Sequence, residues 1–318
     1  MPDSERWHPL RIVLFLLIGA LLYAGLFVWS DRALRSGPAR NPFLSMASPS
    51  EGADWLILGA SHGIPLGIAD MPARITQRSG QRIRVLALTG AGPFVLRIVA
   101  ERWFMDHRSR GVVILLDDFA FAHRRWNRDR LGDDDLLPKI PADIRTARVL
   151  ARAVPRGLSW KTWLAQVTGF ARINDRRRLA PPTWSAEDRF DSSPRPSPAA
   201  LRSRIAFLFP GGDDDGTVGR ALDELEATIL LARAQGARVV LLRPPLPDAF
   251  RAAVPEVPGL ASGLAELAQR LDVPLVDHSA LIPEPRYYFD TDHLNRSGVT
   301  RWLDLGLGGV LAGNDGGQ

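Results

Sequence analysis

The sequence predicts a three-layer α/β/α fold around a central parallel sheet, preceded by one N-terminal transmembrane helix. Three observations predict it. Short apolar runs, each stopped by glycine, acidic residues or proline, recur at residues 55–58, 82–88, 111–116, 238–242 and 274–276. Segments with helical spacing lie between them, and strands alternating with helices mean a parallel sheet covered on both faces. An uncharged run of 19 residues, 12–30, stands ahead of all of these.

Residues 1–11 form a short polar tail. A helix over 12–30 is ~28 Å long, about one bilayer core. A buried core helix is rarely so long and free of charge, and a cleaved signal peptide has a shorter apolar region, although Ser45-Met46-Ala47 resembles a cleavage site. The segment therefore reads as an uncleaved anchor. Charge specifies its orientation weakly: Arg6 and Arg11 precede it, and Arg32, Arg35 and Arg40 follow it, which alone leans towards a cytoplasmic C-terminal domain. Residues 31–52 are rich in Ser, Pro, Gly and Arg and read as a linker; the α/β domain then runs over 53–312. The first strand, DWLIL, ends in Gly59-Ala60-Ser61-His62-Gly63. Residues 94–106 have helical spacing, and GVVILL is stopped by Asp117-Asp118. Residues 143–180 hold Arg-rich helical pieces broken by Pro155 and Gly157, and residues 181–200 read as a Pro/Ser-rich mobile loop or insertion. In residues 217–235 the stripe Val218, Leu222, Leu225, Ile229 and Ala232 marks an amphipathic helix ended by Gly236. A further helix over 260–271 precedes the last strand.

Composition excludes several classes. With no cysteine, disulfide scaffolds, thiol nucleophiles and thiolate metal sites are ruled out. The net charge of +5 is not a nucleic-acid footprint. Lys139 and Lys161 are the only lysines among the 40 basic residues, and the arginines are interleaved with acids, as a solvated surface in a GC-rich coding background would be. No nucleic-acid partner and no cofactor are expected.

Two motifs carry chemistry. In such sheets ligands sit at the carboxyl ends of the strands, so the Gly59–Gly63 turn presents Ser61 there among free backbone N–H groups able to hold an oxyanion. A turn serine is the commoner explanation of an isolated Gly-x-Ser-x-Gly. Near the C-terminus stands Tyr288-Phe289-Asp290-Thr291-Asp292-His293-Leu294-Asn295. Asp290 can accept the Nδ1–H of His293, leaving Nε2 to deprotonate a hydroxyl. A capping Asp beside a surface His is the bland alternative. Asp290, Asp292 and His293, with Asp117 or Asp118, could instead bind a metal, but no H-x-H or H-E-x-x-H spacing supports that, and no metal is assigned. His62 adjoins the serine with its side chain expected to point elsewhere; His8, His107, His123 and His278 are weaker candidates.

Together these motifs resemble the SGNH hydrolases, the GDSL-like esterases, over roughly residues 53–303. The resemblance implies a flavodoxin-like SGNH fold, Ser61 as nucleophile, His293 as base and Asp290 as its orienter. It implies an oxyanion hole from the Ser61 amide and Gly92, with Gly90 as second candidate, in Leu88-Thr89-Gly90-Ala91-Gly92. The third block departs from the pattern: Asp117-Asp118 stands where the family has Gly-x-Asn-Asp, so the oxyanion-donating Asn is missing. Asp117, Asp118 and Asn295 are expected to contact substrate. The altered block, the single N-terminal span and the stretch Ala234-Gln235-Gly236-Ala237-Arg238-Val239-Val240-Leu241-Leu242-Arg243-Pro244-Pro245 resemble membrane-anchored SGNH-like proteins of bacterial envelope and exopolysaccharide pathways. That implies acyl, chiefly acetyl, esters of a glycan as substrate, possible polysaccharide-machinery partners, and a periplasmic or other extracytoplasmic domain on the inner membrane. An α/β-hydrolase is the competing fold, but several strands precede its nucleophile, whereas only anchor and linker precede Ser61. A noncatalytic tethered binding or assembly protein on the same fold is the alternative function.

Overall fold

The computed structural model describes residues 7–37, 40–47, 51–178, 185–211 and 216–313. Strands β1 (Trp55–Gly59), β2 (Ile83–Ala87), β3 (Gly111–Leu115), β4 (Arg238–Arg243) and β5 (Leu275–Asp277) pair in parallel in the order β2-β1-β3-β4-β5. This is the doubly wound order whose crevice opens between β1 and β3, at the carboxyl ends. The helices are α1 (Trp7–Ser36), α2 (Pro42–Met46), α3 (Met71–Ser79), α4 (Pro93–Phe104), α5 (Asp118–Ala122), α6 (Ile144–Ala153), α7 (Trp160–Val167), α8 (Phe170–Ile173), α9 (Pro198–Leu208), α10 (Thr217–Ala234), α11 (Asp248–Ala253), α12 (Leu260–Arg270), α13 (Arg296–Trp302) and α14 (Gly308–Ala312).

The period-2 geometry of the strands explains the two cores. Leu56, Leu58, Val112, Ile114, Val239 and Leu241 face one layer, where they meet buried residues of α4, α10 and α12. Trp55, Ile57, Val113, Leu115, Val240 and Leu242 face the other, against α3, α13 and α14. Truncating one of these leucines to alanine costs roughly 2–5 kcal/mol. The layers are tight where the sheet begins: a Cβ on Gly111 would lie 2.4 Å from the Trp55 ring. In α10 the buried face is Ala221, Leu225, Ile229 and Ala232, with Val218 and Leu222 half-buried beside it.

Two segments differ from expectation. The linker over 31–52 is largely structured where it is described: residues 31–36 continue α1, and α2 inserts Phe43, fully buried, and Met46 into the core beside α4. Asn41 starts α2 by accepting the Leu44 N–H at 3.0 Å. Of the loop expected over 181–200, residues 181–184 lie outside the described residues. The remainder buries Phe190 beneath the Arg296 guanidinium and begins α9. α1 itself is long and apolar enough to cross a membrane, with mean hydropathy 2.6 in its most apolar window.

Candidate functional site

The crevice is built by three chain segments. β1 delivers Ser61 and His62 on a 3-10 turn (Ser61–Gly67), β3 delivers Asp117, and the turn before α13 delivers Asp290, Asp292 and His293. A Cβ on Gly63 would fall 2.9 Å from the Ala87 Cβ, so glycine lets this turn press against β2. Ser61, His62, Asp117, Asp292 and His293 are all buried.

The Asp-x-x-His turn is self-organised. The Asp290 carboxylate accepts the backbone N–H groups of Asp292 (3.1 Å) and His293 (2.8 Å) and pairs with His293 Nδ1 at 2.9 Å. Phe289 stacks on the imidazole, 5.5 Å between centroids and 10° between planes. The ring therefore has one orientation, with Nδ1 on the carboxylate. Burial works to raise the pKa of Asp290, but the neighbouring His293 and the turn's hydrogen bonds hold it below the usual carboxylate range.

His62 does not point elsewhere: it is the centre of the cluster. Its Nδ1 meets Asp117 Oδ1 at 2.5 Å, its Nε2 meets Asp292 Oδ2 at 3.1 Å, and its ring lies 4.9 Å from that of His293. Burial alone would lower its pKa; the charge and hydrogen bond of Asp117, then those of Asp292, raise it to about 10. At neutral pH it is an imidazolium between two carboxylates. Arg204, reaching in from α9, donates to both oxygens of Asp292 (3.1 and 2.8 Å) and sits 3.5 Å from His293 Nε2. Against the resistance of burial, His293 first, then His62 and Arg204, hold the Asp292 carboxyl well below its ordinary range. His62 was missed because a residue beside a nucleophile on a strand tip usually alternates away from it. Its partner Asp117 follows β3, the strand that pairs with β1 only in the folded sheet.

His62, Asp292 and His293 offer ligand atoms within 4.8 Å of one another, the arrangement nearest to a metal site among the described residues. Here the guanidinium of Arg204 and the imidazolium of His62 occupy the Asp292 carboxylate and supply positive charge beside it.

The other expected site residues behave differently. No hydrogen bond joins Ser61 Oγ to His293 among the described residues; the neighbouring His62 is the residue of this turn that touches His293, ring to ring at 4.9 Å. The Gly92 N–H is not free for an oxyanion, because it donates to Trp126 O at 2.6 Å, and a Cβ there would strike Asn127 and Ala120 O at 2.5–2.6 Å. Gly90, at φ +66°, turns the chain under the Trp126 ring and remains the second candidate. Asn295 is a structural cap. Its Oδ1 accepts the Gly298 N–H at 2.9 Å, and its Nδ2 donates to Arg286 O and Ser192 O. Asp118 pairs with Arg243 at 2.8 Å and lines, with Asp117, His62 and Phe209, a cleft of about 40 Å³. That is room for about three waters, or a short acyl or hydroxyl group. Asp117 Oδ2 is buried without a hydrogen-bond partner. Its other oxygen, Oδ1, pairs with His62. His278 and His123 lie outside the cluster, the former accepting from Trp302 Nε1, the latter from the Arg125 N–H.

No family model matches the sequence, and no curated protein matches it. Among solved structures, the chain is similar to a Bacteroides fragilis protein provisionally described as an acylhydrolase, with 10% identity, a TM-score of 0.40, and coverage of 86% of this chain and 94% of that one.

Proposed function

We propose that this chain is a membrane-anchored, SGNH-like acyl-transfer enzyme using Ser61, His293 and Asp290. The observation that supports the reading is the Asp290–His293 pair, held at 2.9 Å on a turn whose Asp292 pairs with His62, the residue after the serine at the tip of β1. In the reaction, Ser61 Oγ bonds to an ester carbonyl carbon as His293 Nε2 takes its proton. The intermediate collapses, the alkoxide leaves with that proton, and an acyl-serine remains. Water or a sugar hydroxyl, deprotonated by His293, then attacks it, giving an acid or a new ester and regenerating Ser61. Asp290 fixes the tautomer throughout. For proton transfer the Arg204 guanidinium has to cede Nε2 to Ser61, a tightening expected on substrate binding. The Ser61 amide and Gly90 are the remaining oxyanion donors. We place the substrate among O-acyl glycans of the envelope, with the domain on the extracytoplasmic side of the inner membrane and polysaccharide-assembly proteins as partners.

A second reading, a noncatalytic tethered binding or assembly protein, is favoured by the occupied Gly92 amide and by Arg204 beside Nε2. A fluorophosphonate probe separates the two. The enzyme labels, and Ser61→Ala does not; a wild-type chain that fails to label, or a Ser61→Ala chain that labels equally, rejects the catalytic reading.

A further inference from the structure

Outside α1, the exposed large apolar side chains are scattered, except for one group. Trp160, Leu164, Val167 and Phe170 are 59%, 42%, 38% and 58% exposed and fall within eleven residues. The first three are spaced i, i+4, i+7 along α7, so they form one stripe. An adjacent stripe, about a quarter-turn round the helix, is what holds α7 to the domain: Trp163 Nε1 donates to Ala147 O, and Gln166, buried, donates to Pro141 O. The outward stripe has no such partner among the described residues.

The same segment is fastened to α1. Tyr23 Oη donates to Thr168 O at 3.1 Å. Gly169, at φ +77°, packs so closely that a Cβ would lie 2.4 Å from the Phe27 ring. The Arg172 guanidinium lies 5.0 Å from the Phe27 centroid, Arg178 lies over Trp29, and Asp31 Oδ1 accepts the Ala142 N–H. Tyr23 and Phe27 belong to the uncharged run of α1, whereas Asp31 is its first charged residue on this side. Eight residues of helix between Tyr23 and Asp31 amount to ~12 Å along the axis. A headgroup layer is only about 5–8 Å deep on each side of the hydrocarbon. If Asp31 marks the water side of that layer, Thr168 and the α7–α8 turn stand at the hydrocarbon edge.

We propose that α7 and the α7–α8 turn lie in the membrane interface, with Trp160, Leu164, Val167 and Phe170 entering the boundary between headgroups and acyl chains. The partner is the lipid surface itself. This rests on reading α1 as a membrane span and is independent of the chemistry proposed for Ser61. Exposed Lys161, Arg176 and Arg177, near the stripe in sequence, have no ion pair among the described residues, the composition that favours anionic headgroups. The consequence is orientation: a second contact beside α1 stops the domain from swinging freely and holds the crevice at a set height above the bilayer.

The chain has no cysteine, so single labels are unambiguous. Full-length protein carrying Leu164→Cys, Val167→Cys or Phe170→Cys, each with a lipid-sensitive fluorophore, is reconstituted into phosphatidylcholine vesicles containing phosphatidylglycerol. Quenching by spin-labelled lipids is compared with Leu16→Cys, inside α1, and Leu230→Cys, on the far exposed face of α10. The inference expects quenching at 164, 167 and 170 several-fold above 230 and approaching that at 16, in chains that melt like the unmodified protein. Quenching at all three no greater than at 230 overturns it. Loss of quenching at 16 overturns it together with the span. Efficient Leu164→Cys self-cross-linking in place of quenching assigns the stripe to a second copy and also overturns it.

Discussion

Replacing His62 with glutamine tests whether the buried cluster carries the charges assigned to it. In the unfolded chain the imidazole has its ordinary pKa of 6.5; in the folded chain it is raised to about 10. Between these values the folded state holds a proton that the unfolded state has lost. Its stabilisation is therefore complete below pH ~6.5, declines by ~1.4 kcal/mol per pH unit above it, and is gone beyond pH ~10. The whole amount is on the order of 4–5 kcal/mol. The depressed Asp292 works in the opposite sense: its contribution is present above its ordinary pKa of 3.8 and is lost as pH falls below that value. In a domain of this size ~1.4 kcal/mol corresponds to about 3–5 °C of melting temperature. His62→Gln leaves Asp117 and Asp292 buried without the imidazolium, a loss of about 3–5 kcal/mol at pH 6.5. Thermal melts followed by circular dichroism in detergent at pH 6.5, 7.5 and 8.5 should show the variant well below the parent at pH 6.5, with the gap closing by ~3–5 °C per pH unit. Parallel melting-temperature profiles for the two proteins would show that His62 is not a buried imidazolium.

Three further outcomes follow from named contacts. Asp290→Asn should slow fluorophosphonate labelling by roughly 10³- to 10⁴-fold while the chain stays folded, since the imidazole loses the acceptor that sets its tautomer; equal labelling rates on a gel would remove Asp290 from the machinery. Gly298→Ala should cost about 3 kcal/mol or more, because its Cβ would sit 2.1 Å from Tyr287 O under α13, whereas Gly219→Ala, with nothing within 4 Å, should stabilise α10 by roughly 0.5–1 kcal/mol; melting temperatures of the pair give the comparison. If the chain is an acyl-transfer enzyme, the missing third-block Asn, with one oxyanion donor typically worth about 10²–10³ in turnover, should make p-nitrophenyl acetate a poor substrate beside an O-acetylated envelope glycan. Turnover of the small ester near 10 per second, a rate typical of enzymes, would contradict this.

The sheet was legible because each of its determinants is local. Five apolar runs with abrupt stops specify five strands, and the helical stripes between them leave a parallel sheet as the arrangement that covers both faces. The Asp290–His293 pair was legible for the same reason: three residues apart on one turn, the two side chains need no distant element to bring them together. The long apolar N-terminal helix, too, is a property of composition over one contiguous stretch.

Tertiary structure decided what depends on partners far along the chain. Phe43 and Met46 sit in a Ser/Pro/Arg-rich stretch that reads as a tether, yet they fill a space beside α4 that only the folded domain creates. Gly92 lies in a plausible oxyanion motif, but its N–H is consumed by Trp126, 34 residues on, and Asn295 is spent on capping and on the carbonyls of Ser192 and Arg286. His62 shows the effect most strongly, since its partners stand 55 and 230 residues away, and no pattern in one sequence encodes a pairing across β1, β3 and the C-terminal turn. Local sequence sets which backbone forms and which face is apolar. The charge state of a buried side chain is set by whichever groups the fold packs against it.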